Sequence, residues 1–156
     1  MSGTHRVPIA FTAVTAQVDI LEVVAHSARP LIMTELHLYQ STEVGDAAEE
    51  QLQILVKSGQ TTSGSGGSSV TPVPNDSPGN AAGFTAEIMN TTKASAGTIV
   101  THAPISWNIR GPLDLTETDL GQIVLAAGRR ATVELATTPA DSVTIGGYAV
   151  FQEIGS

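Results

Sequence analysis

The 156-residue chain contains no cysteine. That excludes disulfide staples, thiolate zinc sites and cysteine nucleophiles. Basic residues are scarce: 7 Lys and Arg stand against 15 Asp and Glu, a formal net charge of −8. Nucleic-acid binding needs clustered cations that displace counterions, and the only adjacent basic pair is Arg129-Arg130. Neither a nucleic acid nor an anionic membrane surface is expected as a partner. No apolar run approaches the roughly 20 residues of a membrane-spanning helix. The opening Met1-Ser-Gly-Thr-His-Arg6 lacks the apolar stretch of a secretion signal. The chain is therefore expected to be made and kept in a cytoplasm until something else releases it. Charged residues are only 14% and apolar residues 41%, the opposite of a disordered composition. Aromatics are few: Phe11, Tyr39, Phe84, Trp107, Tyr148 and Phe151. A core of Val, Ile, Leu and Ala buries less area per side chain, which points to a modestly stable subunit and to oligomerisation.

What is present is period-two alternation, the mark of half-buried strands. Leu52, Ile54 and Val56 alternate with Gln51, Gln53 and Lys57. The same holds for Phe84–Met89, Ile105–Arg110, Ala131–Leu135 and Val143–Gln152. No segment carries a sustained helical stripe. Val18–Ala25 is apolar on both faces, broken by Asp19 and Glu22. Leu31–Tyr39 sets Ile32, Leu36 and Leu38 against a mixed face of Met33, Glu35, His37 and Tyr39. Turn chemistry separates these runs at His26–Pro30, Gly111-Pro112, Ala127-Gly128 and Thr137–Ser142. The length suits one domain, residues 1–156. The pattern predicts an all-β fold: an antiparallel β-sandwich or jelly roll of about eight or nine strands. Gly146-Gly147 marks a bulge or a close backbone approach in the last strand.

Two segments stand outside this pattern. Residues 1–7 are expected to form a flexible N-terminal arm. Residues 58–83, rich in Gly, Ser and Pro, form a long loop or arm, of a length that is functional or disordered in compact domains. Its Val70-Thr-Pro-Val-Pro74 stretch favours an extended conformation that lies along a neighbouring surface. Asp46 starts either one helical turn through Gln51 or an acidic loop with Glu43, Glu49 and Glu50.

The chemistry-bearing residues do not assemble into a catalytic signature. His5, His26, His37 and His102 form neither His-x-His nor His-Glu-x-x-His. Ser63-Gly-Ser-Gly-Gly67 lacks the lysine of a phosphate loop and the strand-to-helix context of a nucleophile elbow, and is expected to be a flexible loop. Glu49-Glu50 and Glu117/Asp119 are carboxylate pairs without aromatic surroundings that would hold a sugar. No catalytic, cofactor or metal residue is assigned, and an enzyme is not expected. Mixed strand faces instead make Met33, Glu35, His37, Tyr39, Tyr148 and Val150 candidates for a subunit interface.

Several phrases carry a family resemblance. They are Phe11–Ile20, Leu38–Leu52, Thr61–Gly67, Gly83–Glu87, Trp107–Pro112, Pro139–Ser142 and Val150–Ile154. Across roughly Ile9–Gly155 the chain resembles virion-associated proteins of tailed phages and prophages, and within them the head decoration, or cement, proteins. The resemblance implies a trimeric β-sandwich bound at local three-fold positions outside a capsid, where it locks capsomers against internal DNA pressure. It implies two partners, further copies of the chain in a homotrimer and the major capsid protein. It implies a virion location, on the outer capsid surface, after synthesis in the host bacterial cytoplasm. The two arms then supply candidate capsid contacts: Thr4, His5 and Arg6 from the first, Val70, Pro72, Val73 and Pro74 from the second. The alternative is a virion-associated jelly-roll module that binds a host-surface glycan through exposed aromatics, Tyr39 and Tyr148.

Overall fold

The computed structural model of the chain describes residues 3–43, 49–76 and 79–155. In chain order the strands are β1 (Gly3–Val14), β2 (Val18–Val24), β3 (Leu31–Gln40), β4 (Gln51–Thr62), β5 (Ser68–Val70), β6 (Val73–Pro74) and β7 (Thr85–Asn90). They continue as β8 (Ser95–Asn108), β9 (Leu113–Leu115), β10 (Ile123–Leu125), β11 (Arg130–Leu135) and β12 (Val143–Glu153), with one short helix, α1 (Glu117–Leu120), between β9 and β10.

The strands make two antiparallel sheets. The first runs β10-β3-β12-β1-β6, with β9 also on β3; the second runs β5-β7-β2-β11-β4-β8. The pairing is nested: β1 with β12, β2 with β11, β3 with β9 and β10, β4 with β8. A long folded-over hairpin rolled into two layers gives this order, which is that of a jelly roll. The expected β-sandwich is thus present. The strand count of eight or nine falls short of the twelve among the described residues. Four of these, β5, β6, β9 and β10, are two or three residues long, too short to show alternation.

Alternation sends Val7, Ile9, Leu36, Leu38, Ala149 and Phe151 inward from the first sheet. Leu21, Val23, Leu52, Ile54, Val133 and Leu135 meet them from the second. Each fully buried side chain of this kind contributes about 1.5–3 kcal/mol relative to exposure.

Three expectations need correction. Gly3–Val7 is no free arm: it is the first half of β1, paired in register with Ala149–Glu153. The alternation there is genuine, with Val7 0% exposed, but proline at Pro8 obscures it. Residues 58–83 are no single loop either. They hold the end of β4, all of β5 and β6, and the approach to β7. β5 pairs with β7 and β6 pairs with β1, so this insertion extends one margin of each sheet. The total accessible surface of 7357 Å² matches the roughly 7,400 Å² of a compact chain of this mass; both arms lie against the body. The third correction concerns helix. The turn proposed from Asp46 falls largely on residues 44–48, outside the described residues. The helix that is described, α1, starts at Thr116, whose N–H and hydroxyl both donate to the Asp119 carboxylate. This turns the Glu117/Asp119 pair into a helix start.

Candidate functional site

The jelly roll leaves each sheet an outer face, and the two are built differently. On the first sheet the register sets Pro8 of β1 opposite Tyr148 of β12, Tyr148 opposite His37 of β3, and His37 opposite Asp114 of β9. The result is one row of side chains across four strands. Tyr148 stacks on His37 with ring centroids 4.5 Å apart. The Arg6 guanidinium, from β1 on the other flank of β12, lies 4.8 Å from the same tyrosine ring. His37 is fixed at both ring nitrogens, Nδ1 to Asp114 at 2.7 Å and Nε2 to Glu35 at 2.9 Å. Tyr39 donates its hydroxyl to the same Asp114 oxygen at 2.9 Å.

Electrostatics follow from this geometry. Burial works to lower the His37 pKa, but the hydrogen bonds and charges of Asp114 and Glu35 outweigh it and hold the imidazole above its usual value. Asp114 is held below the ordinary carboxylate range by its bonds to His37 and Tyr39. Tyr39 is pushed up to about 12 by desolvation and by the Asp114 carboxylate it bonds. The row therefore runs from a cation on β1, through stacked rings, to a histidine held between two acids.

Two backbone features position it. At Gly147, φ is +145°, and a Cβ there would collide with the carbonyl oxygen of His37. The glycine is what lets β12 approach β3 beside the Tyr148–His37 stack. The pairing with β3 continues without a shift at this point, while the pairing with β1 shifts between Ile9 and Thr12, opposite Gly146, so the Gly146-Gly147 signal marks a close approach on one side and a bulge on the other. A register shift does occur between Val150 and Phe151, opposite Thr34. It turns Met33 into the core, 5% exposed, while Glu35 stays on the outer face.

Of the six interface candidates, Glu35, His37, Tyr39 and Tyr148 come together. Met33 does not, because of that bulge. Val150 does not offer itself either, being 3% exposed. The sequence-based reading missed Asp114, although a lone polar residue between Leu113 and Leu115 signals the exposed side of a short strand.

The candidate capsid contacts divide. His5 is buried at 2%, packs edge-on against Phe84 and bonds the Asn80 carbonyl; Pro72 is buried. Neither is available to a shell. Arg6 belongs to the aromatic row. Thr4, Val70 and Pro74 are half-buried, and Val73 is 52% exposed. The segment from Val70 to Pro74 thus docks on its own subunit, where β6 pairs with His5 and Arg6.

The outer face of the second sheet is covered by the chain itself. Glu22, 2% exposed, pairs with Arg130 at 2.7 Å. It also accepts hydrogen bonds from Ser63, the Gly64 N–H and Asn90. Glu134 pairs with Lys57 and Lys93; burial works to raise its pKa, and the two lysines prevail and lower it. Asp19, 1% exposed, accepts the Ala94 N–H at 2.7 Å and is raised to about 6, mainly by burial. The Ser63–Gly67 loop is thus pinned, contrary to expectation. Buried carboxylates need donors, and glycine backbone comes close enough to provide them.

Little else here offers chemistry. A cleft of about 560 Å³ beside β5 and β7 has Glu22 and Arg130 on its wall, already paired with each other. Ser58 Oγ and His102 Nε2 lie 2.6 Å apart on the exposed surface of β4 and β8. No carboxylate is hydrogen-bonded to this histidine among the described residues. No group of His, Asp and Glu among them is arranged to hold a metal ion, and no helix among them is long and apolar enough to cross a membrane. Comparison with protein families, curated proteins and solved structures finds no match to the chain.

Proposed function

We propose that the chain is a viral structural protein: a decoration protein that binds the outside of a phage head as a homotrimer and stabilises the capsid lattice. The sequence resemblance motivates this reading. The structural support is the outer face of the first sheet, where Arg6, Tyr148, His37 and Tyr39 form a rigid, half-exposed aromatic row. Tyrosine and arginine in such settings are the commonest anchors of protein interfaces. Phe11, 55% exposed, packs on the same face over Gly146. Val73 and Thr4, at the β6 margin, are the surface left for a shell contact.

The glycan-binding alternative draws on Tyr39 and Tyr148 beside the Asp114 carboxylate. It is the weaker of the two, because Arg6 and His37 occupy the ring of Tyr148 from its two flanks, and sugar recognition needs an open ring face.

Reconstructions of the parent phage heads assembled with and without the chain test the proposal. Three-lobed density on the outer surface that disappears with the chain is the expected result. Heads of identical surface and stability in both preparations would overturn it.

A further inference from the structure

We infer that the β4–β8 ribbon, at the margin of the second sheet, faces the symmetry axis of the homotrimer, where Ile99 and Val100 pack against the same ribbon of further copies of this chain. The inference rests on the homotrimer reading and deepens it by naming the surface that meets the axis. β8 belongs to the second sheet and the aromatic row to the first, so this contact is additional to the row.

The two sheets have four margins. β5, β6 and β10 close three of them with two or three residues each. The fourth is β8, 14 residues long and paired on one side only, with β4. Its first eight residues, Ser95–His102, are all exposed, so this end of the strand stands clear of the core. Ile99 and Val100 there are 41% and 48% exposed. Farther along the same ribbon a groove of about 260 Å³ is open, lined by Gln53, Leu55, Pro104, Ile105 and Ser106.

No Lys, Arg, Asp or Glu lies between Lys93 and Arg110. β4 carries one, Lys57, and Glu134 takes up its charge. The ribbon therefore presents apolar surface without a free charge, the composition of an interface core. Sheet edges that stay solvent-facing are commonly shortened or guarded with lysine; the other three margins are short, and β8 is neither short nor guarded. What interrupts β8 is Pro104 and its register shifts against β4. These break the edge against strand addition, which leaves side-chain packing as the mode of contact.

The missing charge points to a copy as the occupant. A net charge of −8 works against self-association, so copies meet most readily where that charge is absent. At a rotation axis each residue also meets its own counterpart, and a charged residue there faces a like charge. A foreign partner of an acidic chain is steered by complementary charge, and the ribbon offers none. Exposure and charge fix which surface meets the axis; the order of the axis comes from the homotrimer reading.

Sedimentation equilibrium of the full chain and single-cysteine cross-linking test the contact. The wild type is expected at three chain masses. I99E/V100E sets like charges against each other at the axis and is expected to weaken association about a hundredfold or more. I99T/V100T keeps the branched shape without charge and is expected to weaken it less. Both positions are exposed, and circular dichroism checks that the fold is kept. The chain has no cysteine of its own, so I99C and V100C report without background: on oxidation they are expected to join two chains, and V73C, at the β6 margin, is not. Undiminished association of I99E/V100E, or an associated chain in which neither I99C nor V100C cross-links, would overturn the contact and leave the homotrimer standing. A two-chain wild type that I99E/V100E dissociates would overturn the homotrimer and keep the contact. A monomeric wild type would overturn both, and loss of head binding by I99E/V100E in that case would put the shell on the ribbon in place of a copy.

Discussion

Replacing Asp19 by asparagine is expected to stabilise the protein, and only above a definable pH. Asp19 is 1% exposed, accepts one backbone N–H, and has Glu134 and Glu22 as acidic neighbours with Lys57 the opposing charge. Burial dominates and raises its pKa from 3.8 to about 6. A carboxylate with a raised folded value keeps its proton in the native state at pH values where the unfolded chain has lost it. The Asp19 contribution to stability therefore falls as pH climbs from about 4 to 6 and is flat above that window. At about 1.4 kcal/mol per pH unit, the difference is on the order of 3 kcal/mol. An asparagine side chain keeps an oxygen for the Ala94 N–H and cannot ionise. Urea unfolding of wild type and D19N, at one fixed subunit concentration, measures the difference across pH 4 to 8. The two should coincide near pH 4 and diverge through the window, with D19N more stable by up to about 3 kcal/mol at pH 8. A difference independent of pH, or a D19N less stable at pH 8, would refute the assignment of a buried, costly charge.

Further outcomes follow from the same structure. Gly147→Ala should destabilise by about 3 kcal/mol or more, through a Cβ against the His37 carbonyl and a φ of +145°; thermal unfolding reads this, and a change below about 1 kcal/mol would contradict the described approach of β12 to β3. Glu22→Ala removes the partner of Arg130, Ser63, Gly64 and Asn90 at once. It should cost about 3–5 kcal/mol and speed hydrogen exchange at the Gly64 amide. His37→Gln should destabilise more at pH 5.5 than at pH 9. A histidine with a raised folded pKa stabilises fully below its unfolded value of 6.5, and loses that contribution as pH rises through the raised value. Equal losses at both pH values would show that His37 acts by packing alone.

The all-β class was legible because the longest strands alternate without interruption, as Leu52–Val56 and Val143–Ile145 do. β1 escaped notice because Pro8 and the shift between Ile9 and Thr12 break the pattern where Val7 and Ile9 would declare it. Met33 was misplaced for a related reason: one extra residue at Thr34 reverses the inward and outward sides. His37, Tyr39 and Tyr148 of the aromatic row could be named from β3 and β12, whose mixed faces were visible. Asp114 could not, since it reaches His37 from 77 positions away on a three-residue strand. Val18–Ala25 looked apolar on both faces, yet its outer side carries the buried acids Asp19 and Glu22. Neither spacing nor composition shows that the glycine-rich segment returns to cover them.

The treatment of the two outer faces argues for a partner on one of them. Over the second sheet, the segments around Ser63–Gly67 and Thr91–Ala94 supply donors to buried polar groups, the Asp19 and Glu22 carboxylates among them, and exclude solvent from them. Ordering a residue costs about 1–2 kcal/mol of backbone entropy, and burying charges adds a desolvation penalty that paired geometry only offsets. The chain bears both costs to close that face with its own atoms. Among the described residues, no comparable cover lies over the first sheet. Its aromatic row is stiffened from within, by Gly147, by the two bonds to His37 and by the Arg6 contact with Tyr148. Side chains held in place before association lose little entropy on meeting a partner. A face that is rigid, charge-separated and uncovered is the one on which a second molecule gains the most from docking.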